Sequence, residues 1–421
     1  MKYPTMVLFA SALVVSGQPQ FAFTNFAGLI GGSGSRDGTW TNAWFAGPFS
    51  LTRDGADTMY LGDYYNNSIR MITPGSLVTT LAGGSPSYNR PDGVAMDSLG
   101  NLYVADQDNN DIRKITNGVV SVFAGTAGSG TLGTNDGTGA AAKFYKPTGL
   151  ALDAGGNLYV ADRYNHLIRK VTPGAVVTTL AGLGKAGGGG YPGTNDGVGS
   201  AARFNFPSCV TVDSATNLFV ADTSNNTIRK MTPSGADWTV TTFAGAAGQS
   251  GTNDGVGIAA RFNTPRGLAF DSAGNLFVAD SNNHTIRMIT PDGTVTTIAG
   301  SPGVTGSKGG TNGAARFYGP RGLLFDSAGN LFVTDAGNYR ISKGVLLDGA
   351  GVPPAFVAVN AAGGLFNVQV TNYAPGSEVV IEVSSNLAAW SPVATNTAGS
   401  IDYSDSIAGE GPRFYRAYLK P

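Results

Sequence analysis

The residue types that carry most enzyme chemistry are nearly missing from this chain of 421 residues. It has one cysteine, Cys209, and two histidines, His166 and His284, and its glutamates are Glu378, Glu382 and Glu410. A single thiol excludes an intramolecular disulfide framework and any cysteine-built metal cage. With histidine and glutamate so scarce, general acid–base and metal-ligand chemistry lacks its usual groups, and no Ser/His/Asp set can be assembled. No catalytic residue and no metal ligand is assigned. Charge is scarce as well: 13% of residues are charged and the formal net charge is −1. Such a chain has no long-range field to gather a polyanion, so nucleic acid and anionic membranes are not its default partners. Long apolar runs are missing too. The stretch Met6–Val15 is too short to cross a bilayer, but behind Met1-Lys2 and ahead of Gln18 it suits the core of a signal peptide over residues 1–17. The expectation is a monomer that is not inserted in a membrane and is secreted, periplasmic or held at the cell surface.

What the chain has in plenty is glycine, 62 residues with no G-X-Y period, placed between apolar runs as turns. Above all it has a frame repeated six times. A proline is followed fifteen residues later by an aspartate in Pro48/Asp63, Pro91/Asp106, Pro147/Asp162, Pro207/Asp222, Pro265/Asp280 and Pro320/Asp335. An aromatic stands three residues before each proline: Phe45, Tyr88, Phe144, Phe204, Phe262 and Phe317. A fixed frame at intervals of 43 to 60 residues means one supersecondary unit used six times.

The fifth copy, Pro265 to Gly300, divides into four strand-like runs separated by turn residues. They are 267–270, 276–279, 285–290 and 294–299. Six such antiparallel units describe a six-bladed β-propeller, an all-β ring that leaves only short outer edges. The fourth run appears as LVTTLAG, VVSVFAG, VVTTLAG, TVTTFAG and TVTTIAG, five copies for six blades. The sixth is at the other end of the chain, Phe23–Gly28. The N-terminal strand is therefore expected to complete the last blade and latch the ring.

Blocks such as PTGLALDAGGNLYVADRYNHLIRKV, Pro147 to Val171, resemble NHL repeats, and the run Asn165-His166-Leu167 is the one that names them. The resemblance covers roughly residues 23–347 and implies a six-bladed propeller. The first and last copies depart from the pattern, with Tyr65-Asn66-Asn67 in one and Ser342 in place of arginine in the other. Six-bladed relatives that act as lactonases or lyases hold a metal at the central mouth with Glu, Asn, Asp or His. Here the strand-one starts offer no Glu and no His. RNA binding, known among intracellular NHL proteins, fits poorly with the net charge and the N-terminal segment.

Strand alternation gathers the proline entries, the loops after each frame aspartate and all connections between blades on one face, where binding is expected. Three connections are alike: GTNDGTGAAAKF, GTNDGVGSAARF and GTNDGVGIAARF. Their Asp136, Asp196 and Asp254 suggest Ca²⁺, the one cofactor in question, but each loop brings a single carboxylate. The preferred reading is that they cap a short helical turn. The frame aspartates recur with an arginine seven residues on, and a feature repeated so regularly reads as a within-blade ion pair, not a site. Both histidines occupy one repeat position and read as structural, and Cys209 stands where other copies have glycine. Symmetry breaks beside the prolines. The candidate ligand-binding residues there are Phe49, Arg90, Asp92, Lys146, Thr148, Ser208, Arg266 and Arg321, a mouth suited to an acidic or sugar ligand.

After the propeller, taken as 21–347, residues 348–354 read as a linker. Residues 355–421 alternate as short strands of a small β-sandwich resembling C-terminal modules of exported bacterial proteins. The expected function is an exported binding or scaffolding protein that holds a protein, peptide or glycan on the loop-rich face. The alternative is a metal-assisted hydrolase or lyase at the central mouth.

Overall fold

In every blade the frame proline lies directly opposite its aspartate across an antiparallel ladder, Pro48 on Asp63 through Pro320 on Asp335. The fifteen-residue spacing is thus a register: strand one, a tight turn, and strand two returning beside it. The computed structural model describes residues 19–83, 88–128 and 132–347, and the backbone of six strands between 355 and 419. Residues 1–17 and 348–354, read above as signal peptide and linker, lie outside the described residues. Six sheets form the six blades of an all-β propeller. Among the described residues the helical segments are all three-residue 3-10 turns, and no helix is long and apolar enough to cross a membrane.

The ring closes as expected. Phe21–Ala27 lies between Arg340–Leu346 and Gly310–Thr311 in the last blade, with Phe23 opposite Gly310. Five blades carry an unexpected fifth strand of two residues, such as Gly137–Thr138 on Val176–Ala181. It comes from the connection entering that blade, and it covers the outer edge that would otherwise be open to pairing.

The aromatics before the prolines are wedges between blades, at most 1% exposed. Phe144, for example, packs with Leu150 and Leu158 of its own blade and with Ala105, Ile112 and Ala124 of the blade before. Five of the six wedges, Phe45, Tyr88, Phe144, Phe204 and Phe262, also carry a guanidinium. Arg169 sits 5.2 Å from the Phe144 ring centre. Its Nη1 donates to Asp162 at 2.8 Å and to the Lys143 carbonyl, and its Nη2 to Asp136 at 2.7 Å and to the Asn135 carbonyl.

That network corrects the capping expectation for Asp136, Asp196 and Asp254. No side-chain cap bond exists on the 3-10 turns that follow them. Their carboxylates instead hold Arg169, Arg229 and Arg287 at 2.6–2.7 Å and accept from Thr179, Thr242 and Thr297. Asp37 does the same for Arg70. The frame pairs are within-blade bridges, and four of their arginines, Arg70, Arg169, Arg229 and Arg287, are at most 1% exposed. Removing one partner of such a pair costs far more than breaking a surface ion pair, because a charge is left buried. In the last blade Ser342 stands opposite Val333 where other blades have arginine, and Arg340, directly across the ladder from Asp335, takes over with its Nε 2.8 Å from that aspartate.

The propeller, Phe21–Val345, is one compact unit, and the C-terminal strands belong to a second. Those six strands form two three-stranded antiparallel sheets. In one, Leu365–Thr371 is central between Ala355–Ala362 and Ile401–Ser406. In the other, Val379–Ser384 is central between Ser391–Asn396 and Phe414–Leu419.

Candidate binding site at the axial mouth

The innermost strand of each blade begins at its frame proline, and six of them surround the axis: Pro48–Arg53, Pro91–Met96, Pro147–Leu152, Pro207–Val212, Pro265–Phe270 and Pro320–Phe325. They enclose a cavity of about 650 Å³. Just past each proline the register with strand two slips, so the next residue is released from the ladder and can be aimed independently. Six of the eight candidate residues line the cavity at this end: Phe49, Asp92, Thr148, Ser208, Arg266 and Arg321.

One residue further on, neighbouring inner strands nearly touch. A Cβ on Gly93 would come 2.1 Å from the Thr148 carbonyl oxygen, and one on Gly267 1.8 Å from that of Arg321. Cys209 occupies the same position in the fourth blade and lines the cavity. Burial pushes its thiol up to about 12, so it is held protonated and unreactive.

The other two candidates are placed elsewhere. Arg90 and Lys146 each lie 3.2 Å from Asp108, which neutralises part of their charge, and neither lines the cavity. Both have left-handed backbone, φ 56° and 51°. That conformation presents the backbone N–H of Arg90 to Asn67 Oδ1 and that of Lys146 to Asn110 Oδ1, stitching one blade to the next. The histidines occupy the same acceptor position. His166 Nδ1 accepts from Phe206 N at 3.0 Å and His284 Nδ1 from Gly319 N at 3.2 Å. Burial and the nearby Arg163 cation press His166 down to about 4, and burial lowers His284.

Thr148 and Ser208 are engaged within the scaffold. Thr148 is 1% exposed and donates to the Ala161 carbonyl, while Ser208 donates to the Arg266 carbonyl and receives a bond from Thr223. The charged residues are not. Arg321 lies over the Phe49 ring with its guanidinium carbon 3.5 Å from the centre, and Phe49 stacks on Tyr64 at 4.5 Å. Burial raises the Asp92 carboxyl against the opposing pull of Arg321, Arg163 and Arg266. Burial also lowers both mouth arginines, Arg266 and Arg321, and the Arg163 cation adds to it in each case. Among the described residues none of these four groups has an ion-pair partner within 4.0 Å.

Arg163 escaped the reading of the sequence, as did Tyr64 and Gln107, which share a hydrogen bond. All three directly follow a frame aspartate, where the six blades read Tyr64, Gln107, Arg163, Thr223, Ser281 and Ala336. The same search for broken symmetry, applied one residue past the aspartate, would have found them. Among the described residues no group of three or more His, Cys, Asp or Glu side chains is close enough to hold a metal ion. The arrangement offers aromatic faces, fixed guanidiniums and one carboxylate around an open cavity, which is binding chemistry.

The family model described as NHL repeat matches residues 88–115, 144–171 and 262–287. NHL repeat-containing protein 2 of Gallus gallus is 31% identical over 241 residues, which is 51% of this chain and 33% of that protein. The chain spans a third or less of the length of the curated relatives it matches. Among solved structures, an auxiliary nutrient binding protein from Bacteroides thetaiotaomicron superposes with a TM-score of 0.61 at 20% identity, covering 80% of this chain and 78% of that one. A structural genomics protein of unknown function from the same organism gives 0.62 at 22% identity, covering 79% and 77%. At these identities the likeness is one of fold. The chain carries NHL repeats, and it folds them into a six-bladed β-propeller.

Proposed function

We propose that the protein is an exported bacterial binding module that holds a protein, peptide or glycan ligand at the axial mouth of its propeller. One observation carries the reading. Throughout the repeat frame the charged groups are paired and alike from blade to blade, whereas around the mouth they differ and lack partners. Real sites break the symmetry of the scaffold that presents them. The auxiliary nutrient binding protein that shares this fold is consistent with this, and the apolar segment Met6–Val15 supports export. On this reading the six C-terminal strands make a small β-sandwich module, and no cofactor is needed.

The test is retention on immobilised glycan and peptide panels, comparing the native chain with the double variant Phe49→Ala, Arg321→Ala. The expected result is retention by the native chain that the variant loses, with the variant still unfolding cooperatively above the assay temperature, although lower than the native chain because the buried Phe49 ring is gone. Retention that survives the variant would move the site away from the mouth. A melting temperature that falls with EDTA and is restored by Ca²⁺ would favour the metal-assisted reading instead.

A further inference from the structure

The mouth contains more positive charge than the fold accounts for. The frame arginines have their charge met, each of Arg70, Arg169, Arg229 and Arg287 held at its two Nη atoms between two carboxylates and two backbone carbonyls. Arg90 and Lys146 share Asp108, and Arg53 pairs with Asp57 at 2.8 Å. Arg203, Arg261 and Arg316 donate to backbone carbonyls of their own loops. Arg163, Arg266 and Arg321 differ from all of these. They come from three different blades. Arg266 and Arg321 line the cavity with Asp92, while Arg163, packed over Tyr164 and Phe206, lies outside the lining but near enough for its charge to act on all three. No ion pair or side-chain hydrogen bond engages these guanidiniums among the described residues. Arg163 Nε is buried without a hydrogen-bond partner, as is the Nε of each of the four frame arginines. Unlike theirs, its guanidinium meets no carboxylate among the described residues and rests only against the Tyr164 and Phe206 rings, 5.6 and 5.7 Å from their centres.

On the reading that the mouth is the binding site, we infer that it receives a compact oxyanion group carrying two negative charges, held by Arg266 and Arg321, with the Arg163 cation behind them, and set apart from Asp92. Three guanidiniums against one carboxylate leave two positive charges uncompensated in a half-enclosed space, a costly arrangement that a dianion relieves. The planar forks of arginine suit the paired oxygens of a carboxylate, phosphate or sulfate. The Phe49 ring beneath Arg321 fixes the plane of one fork. Asp92 sets the charge tolerance: it repels a third negative charge, and it holds the arginines' mutual repulsion in check while the site is unliganded. The shared chemistry is the dianionic end group, supplied either by two neighbouring carboxylates or by one phosphate ester.

Titration calorimetry and thermal shift at low ionic strength test this, with inorganic phosphate, sulfate and succinate as probes, against acetate and galactose. The dianions are expected to bind and to raise the melting temperature, while galactose does neither. The order of phosphate and succinate tells which source the site prefers. Arg266→Gln and Arg321→Gln should each weaken binding by about tenfold or more, and Arg266→Lys should recover part of it, which separates lost charge from lost fold. Asp92→Asn should tighten binding by about tenfold, a direction that damage to the scaffold would not produce. If Asp92→Asn weakens the dianions, or if galactose binds as tightly as they do, the inference fails while the binding site stands. If no probe binds and the mouth variants also leave panel retention unchanged, both readings fail.

Discussion

A guanidinium that is 1% exposed survives in a folded chain only because of what surrounds it. Arg229 has Asp222 at 2.8 Å and Asp196 at 2.6 Å, and each carboxylate is in turn held by further donors. Replacing it by methionine leaves two carboxylates without their cation, one of them fully buried. Arg229→Met should cost about 3–5 kcal/mol in urea unfolding, and a loss below about 1 kcal/mol would mean the pair is only decorative. His166 makes a second residue-scale case. Its folded value near 4 lies below the ordinary 6.5, so as pH falls the unfolded chain takes up the proton first. Its contribution is intact above pH 6.5 and is lost progressively down to pH 4. Asparagine fills the same left-handed acceptor position in three other blades, at Asn67, Asn110 and Asn226. His166→Asn should therefore match the native melting temperature at pH 7.5 and exceed it at pH 4.5, where a constant difference would discount the histidine. At this scale the sequence was legible where partners lie seven residues apart on adjacent strands. It misled on the loop aspartates, read there as caps, because their arginines lie 33 residues away and are reached only once the blade has folded.

Strands and turns were easier to read than contacts. In the fifth blade the expected runs overlap the observed strands Pro265–Phe270, Leu276–Asp280, Thr285–Ile289 and Thr294–Gly300 to within two residues. The short fifth strands were not legible, because two residues carry no period. Nor was the packing of one inner strand on the next, since it depends on backbone atoms from different blades. That packing makes the glycine after the mouth residue a sensitive position. A Cβ on Gly267 would collide with the Arg321 carbonyl oxygen, so the two strands must separate. Gly267→Ala should cost about 1–3 kcal/mol by thermal unfolding. It should also weaken whatever ligand Arg321 holds, whereas an effect on stability alone would show that the neck and the mouth are independent.

For the molecule as a whole, the ring's last joint is made by its first strand. Phe21 and Phe23 are 1% and 3% exposed, and Phe23 meets Phe317 edge to face at 5.2 Å. Phe23→Ala should cost about 3–5 kcal/mol, and hydrogen exchange should show the last blade opening before the others. Uniform exchange across all six blades would mean that the joint is no weaker than its neighbours. The closure was readable because one strand motif appears five times inside the repeats and once at the far end of the chain. The charge at the mouth was only half readable, since four of its groups come from four blades and only their convergence gives them meaning.

Because Phe23 pairs with Gly310, the first strand finds its place only after the rest of the ring exists. A chain emerging residue by residue spends most of its synthesis with that strand unclaimed and, near the end, with an open blade edge awaiting it. Two unfinished copies in close quarters can satisfy each other by trading first strands, giving a linked dimer in which the contacts of that one strand are made between molecules and all the others stay within one.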